Sequence, residues 1–123
     1  MYVDSKDDRE YQEVAPTIHL RGERRADGSQ LSLWAYLDSG GRLHIDGQDL
    51  GPVTAPVSND GEYEYFKTIA ASDIPRLVEL LGGKPGADIL ALLKRKYTGE
   101  KSYDLERILS ESDIPVALST YGG

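Results

Sequence analysis

The chain contains no cysteine. Disulfides, thiolate metal sites and thiol nucleophiles are excluded together, and stability has to come from packing and hydrogen bonding. Histidine is scarce: His19 and His44 are the only ones. A pair on neighbouring strands could begin a metal site, but such sites recruit further ligands and supporting groups, which nothing in the pattern marks. Both read as ordinary strand histidines, and no metal or cofactor is expected.

Long apolar runs are missing as well, with nothing near the roughly 18 residues of a membrane span. The opening residues, MYVDSKDDREYQE, are too charged for a signal peptide, so the expected location is cytoplasmic. Positive charge is in deficit: 14 Lys and Arg stand against 21 Asp and Glu, a formal charge of −7. That field repels phosphate backbones and anionic membranes, so neither nucleic acid nor membrane is an expected partner. It attracts basic proteins, and equally it keeps a small domain soluble. Signatures of catalysis are absent too. There is no G-x-S-x-G, no phosphate loop and no G-x-G-x-x-G after a strand, and the chain is read as non-enzymatic.

What is present suits one domain of 123 residues, with 39% hydrophobic and 28% charged positions. Residues 1–13 carry Asp4, Asp7, Asp8, Glu10 and Glu13 with little apolar content, and read as a mobile arm ahead of a domain over 14–123. Val14 to Arg21 has strand composition, weakened by Pro16, and Gly22 to Ser29 reads as a polar turn.

Leu31 to Leu37 and Arg42 to Asp46 flank Asp38-Ser39-Gly40-Gly41, which predicts a hairpin. A loop of Ser39 to Gly41 would oppose Leu37 to Leu43 and Ala35 to Ile45. Leu31, Leu33, Ala35, Leu37, Leu43 and Ile45 then share one face, and Trp34, Tyr36 and His44 the other. A two- or four-residue loop would shift the register by one and group Trp34 and Tyr36 with Leu43 and Ile45 instead. The three-residue loop, Ser39 to Gly41, is preferred because it segregates more aliphatic surface.

Gly47 to Asp60 holds prolines, glycines and an Asn-Asp pair and reads as a long loop, and Gly61 to Ala70 as the next strand. The period then changes. Ile74, Leu77, Val78 and Leu81 predict a helix capped by Ser72 and closed by Gly82-Gly83. A second helix is expected over Ala87 to Tyr97, with Lys94, Arg95 and Lys96 offsetting the dipole of its last turn, and a third over Ser102 to Ser110. Ile114 to Tyr121 has strand character and should return to the sheet. The predicted class is α+β, with an antiparallel sheet mainly from residues 14–70, helices on one face and a C-terminal return strand. SDIP occurs at Ser72 and again at Ser112, but the flanking segments do not match and no repeat is inferred.

Leu43 to Phe66 contains no Lys or Arg yet carries Asp46, Asp49, Asp60, Glu62 and Glu64. Tyr63 and Tyr65 interleave with Glu62 and Glu64, so alternation should place tyrosines on one face and carboxylates on the other. These seven residues are the candidate partner-binding set, because tyrosines supply contact area and clustered carboxylates steer a basic partner. An amphipathic strand with a solvated acidic face accounts for the same pattern.

GQDLGP at Gly47, GEYEYF at Gly61, the SDIPRLVELLGG helix and the IPVALSTYGG tail resemble small acidic proteins of actinobacteria associated with immunity against polymorphic or contact-dependent toxins. The resemblance implies stoichiometric binding to a cognate protein toxin, with a basic nuclease-like toxin suiting the charge, and it carries over no catalytic residue. The alternative reading is a regulatory or scaffold interaction domain.

Overall fold

The computed structural model of the chain describes residues 16–58 and 60–122. Its strands are β1 (Ile18–Arg24), β2 (Gln30–Leu37), β3 (Leu43–Leu50), β4 (Glu62–Ile69) and β5 (Ala117–Gly122), and its helices α1 (Ile74–Leu80), α2 (Ile89–Lys96) and α3 (Lys101–Glu111). The strands lie side by side in chain order as one five-stranded sheet, antiparallel throughout. All three helices are inserted between β4 and β5, so the α+β expectation and the return of the C-terminal segment both hold. The arm expected over residues 1–13, and Val14 of the first strand, lie outside the described residues.

The β2–β3 hairpin has the preferred register, with Leu37 opposite Leu43 and Ala35 opposite Ile45. Asp38 sets it. Its backbone N–H bonds the Arg42 carbonyl at 3.0 Å, and its Oδ1 accepts from the N–H groups of Gly40 and Arg42 at 2.8 and 3.0 Å. Gly41 closes the turn at φ +81°, a conformation that costs a side-chain-bearing residue but not glycine.

Leu31, Leu33, Ala35, Leu43, Ile45 and Ile69 are buried on one side of the sheet, against Leu77, Val78, Leu92, Leu93 and Leu105 of the helices. This is the segregation that strand and helix periods predict. Alternation then puts Trp34, Tyr36, His44, Asp46, Glu62, Glu64 and Phe66 on the opposite side, which no described helix covers.

Four boundaries differ from expectation. β1 runs on to Arg24, because Gly22, Glu23 and Arg24 pair with Ser32, Leu31 and Gln30. β3 continues through Gly47, Gln48, Asp49 and Leu50, so the predicted loop shrinks to the segment around a 3₁₀ turn at Pro52–Thr54. A strand hydrogen-bonded on both sides overrides the weak local propensity of Gly-Gln-Asp, and Tyr65 supplies the packing that Gly47 lacks: a Cβ built there would fall inside the tyrosine ring. Ser72 does not cap α1. The chain enters through a 3₁₀ turn at Ala71–Asp73, and no side chain caps the helix. Pro75 in its first turn removes one of the N–H groups that a cap would serve. Ile114 leaves the predicted strand for the core, and β5 begins only at Ala117.

Candidate functional site

The seven candidate residues do not form one surface. Asp46, Glu62 and Glu64 stand on the open side of the sheet, whereas Asp49, Tyr63 and Tyr65 stand on the helix side. Asp60 lies in the loop before β4, where its Oδ1 accepts from Ser58 Oγ at 2.8 Å and the Glu62 N–H at 3.1 Å. Tyrosines and carboxylates separate as alternation predicts, but the tyrosines face inward.

On the helix side, Tyr65 packs over Gly47 and beside an ionic cluster. Arg21, only 4% exposed, donates to Glu106 Oε1 at 2.6 Å and to Ser102 Oγ at 2.8 Å, and its guanidinium lies 3.6 Å from the centre of the Tyr103 ring. Lys67 reaches the other Glu106 oxygen at 3.3 Å. Burial alone would lower the Arg21 pKa, but the hydrogen bond and charge of Glu106 outweigh it and the pKa is raised. Burial, followed by the Glu106 charge, pushes the Tyr65 phenol well above its usual range. This cluster joins β1, β4 and α3, and it gives Tyr65 a packing role.

The open side has a different chemistry. His19 stacks on Trp34 with ring centres 5.5 Å apart, and Tyr36 on His44 at 4.7 Å. Cross-strand register sets Trp34 beside Asp46 and Asp46 beside Phe66. Asp46 is thus flanked by large rings, and its Oδ1, like that of Asp49 on the helix side, is buried with no hydrogen-bond donor among the described residues. Burial raises its pKa, opposed by the nearby His44 and by Tyr36. Gln48 spans the neighbouring carboxylates, donating to Glu64 at 3.2 Å and reaching Glu62 at 3.5 Å. The outward positions of β2, β3 and β4 include no Lys or Arg.

The two histidines are not neighbours, because β2 runs between their strands. Among the described residues, no group of three or more His, Asp and Glu could hold a metal ion. His44 does sit between Asp38 Oδ2, 2.8 Å from its Nε2, and Thr68 Oγ1, 3.4 Å from its Nδ1. The order matches an acid, a base and a hydroxyl, and sequence reading missed it because the cross-strand pairing of His44 with Thr68 brings the hydroxyl in. A nucleophile also needs N–H donors aimed at a developing oxyanion. On the face of a continuous sheet those N–H groups lie in the sheet plane and bond the adjacent strands. Asp38 is meanwhile committed to the turn and to Arg42 Nε at 2.8 Å. The geometry anchors the hairpin to β4.

Trp34 and Tyr36, assigned from the sequence to the far face of the hairpin, are not in the candidate partner-binding set. Their period-two alternation with buried leucines was the available signal. Phe66, 37% exposed, completes the aromatic floor. No helix of the described residues is long and apolar enough to cross a membrane. The chain matches no protein-family model, and comparison with curated proteins and with solved structures finds no significant likeness.

Proposed function

We propose that this chain is a non-catalytic binding protein of the immunity type, which neutralises a cognate toxin by seating a basic segment of it on the open side of the sheet. The observation that carries this reading is Asp46, whose Oδ1 is buried beside aromatic side chains with no donor among the described residues. An unpaired buried acceptor costs about 1–3 kcal/mol. A Lys or Arg brought by a partner would recover that cost, and Trp34 and Tyr36 offer rings for its aliphatic stem and charge. Glu62 and Glu64 add a negative rim that would speed the approach of a basic surface.

The test is co-expression with the product of the adjacent gene, followed by co-purification and titration. Trp34 is the only tryptophan, so its fluorescence reports occupancy of this face directly. Trp34→Ala and Phe66→Ala are expected to weaken binding by about 2 kcal/mol or more, as centrally placed aromatic anchors do. Charge reversal at Glu62 and Glu64 should slow association and flatten its salt dependence. Folded variants that bind a toxin domain with unchanged rates would place its interface elsewhere. A neighbour that forms a complex without toxic activity would favour a regulatory or scaffold role.

A further inference from the structure

The edges of the sheet differ in a way that the proposed binding face does not explain. β1, Ile18–Arg24, carries Glu23 and Arg24 outside the core, charges that discourage another strand from adding to it. β5, Ala117–Gly122, reads ALSTYG, with neither charge nor proline. All of its residues are exposed, Leu118 by 60% and Tyr121 by 57%, and among the described residues it pairs with β4 alone. On its other edge no described strand pairs with its backbone donors and acceptors, and the devices that usually blunt such an edge are missing from its sequence.

A groove of about 300 Å³ opens at the start of β5 on the helix side, walled by Leu109, Ile114, Val116 and Leu118. The only charged residue lining it, Lys67, is held by Glu106. A strand added beyond β5 would direct alternate side chains toward that groove.

We infer that β5 is a homodimerisation edge, at which two copies of the chain pair their β5 strands antiparallel about a twofold axis and join their sheets. The argument for a second copy is charge. The whole chain is acidic, so two copies repel each other least where charge is absent, and β5 opposes itself without a formal charge in any register. Pairing β5 with β1 of another copy would be heterologous and would propagate, and the charges of β1 oppose it. Antiparallel self-pairing closes after two copies. It sets Leu118 of each copy near the axis on the helix side, and it leaves Trp34, Asp46 and Phe66 uncovered. The inference is independent of any toxin.

A six-residue strand makes a small interface, so the dimer should be reversible and dependent on concentration. Sedimentation equilibrium of the full chain across a wide concentration range should show a monomer–dimer equilibrium. Leu118→Lys, which brings like charges together near the axis, should weaken it by about tenfold or more. Because the chain has no cysteine, single substitutions report proximity cleanly. Leu118→Cys, Ser119→Cys or Thr120→Cys should form cross-linked dimers under mild oxidation faster than Ala91→Cys on the exposed side of α2. Should Leu118→Lys fail to fold, the cysteine series decides, together with concentration-dependent protection of the β5 amides from hydrogen exchange. A chain that stays monomeric overturns the inference, and so does a dimer indifferent to Leu118→Lys or cross-linking no faster than at Ala91. Capture of a foreign strand by a chain that is monomeric alone would overturn it equally.

Discussion

Two side chains of opposite charge show how much a single contact is asked to do. Arg21 is almost fully buried and depends on Glu106 for its compensating charge. Removing one partner of such a pair leaves the other uncompensated, at a cost of about 3–5 kcal/mol. Glu106→Ala is therefore expected to lower the urea midpoint sharply, whereas Arg107→Ala, whose ion pairs to Asp104 and Glu111 are exposed, should change it little. Asp38 makes the pH counterpart. His44, then the N–H and side chain of Arg42, hold its carboxyl well below the usual carboxylate range. A depressed folded pKa means that the unfolded chain takes up the proton first. The stabilisation is thus complete above the unfolded value of about 3.9 and is lost as the pH falls through the folded one. Asp38→Asn should be less stable near neutrality and should show a shallower loss of stability in acid, measured by denaturation at a series of pH values.

The elements owe their ends to local chemistry and their extents to neighbours. Asp88 caps α2, its Oδ1 accepting from the N–H groups of Leu90 and Ala91 at 2.9 and 3.2 Å. Asp88→Ala should destabilise the fold by about 0.5–2 kcal/mol, seen as a lower thermal midpoint, while Asp88→Ser should retain most of the cap. α1 has no side-chain cap to lose, so Ser72→Ala is expected to leave stability nearly unchanged. The Asp38–Arg42 turn was legible because turn chemistry is local, and it carried the register of the β2–β3 pairing with it. The second half of β3 was not legible. Gly47, Gln48 and Asp49 have poor strand propensity, and only the pairing of Gly47 with both Leu33 and Tyr65 holds them extended.

In the whole molecule, the proposed binding face would set stability against binding. Burial raises the Asp46 pKa, so its charged form is disfavoured by folding, and the resulting penalty at neutral pH is relieved as the pH falls through the folded value. Asp46→Asn should therefore raise the urea midpoint, or at least not lower it, and should remove the relief seen in acid. The same substitution is expected to weaken partner binding, the pattern of a residue kept at some expense to the fold. Sequence by itself determined the α+β class, the hairpin register, the helix periods and the separation of tyrosines from carboxylates. These follow from residue order, because strand and helix periods assign side chains to faces before any packing is known. Which face the helices would cover was decided only in three dimensions. The aliphatic side chains on one side of β2 and β3 took the helices, Tyr65 and Tyr63 went with them, and Trp34, Asp46 and Phe66 were left on the open side. Alternation can pair residues into faces, but only the burial of the larger apolar area tells which face turns inward.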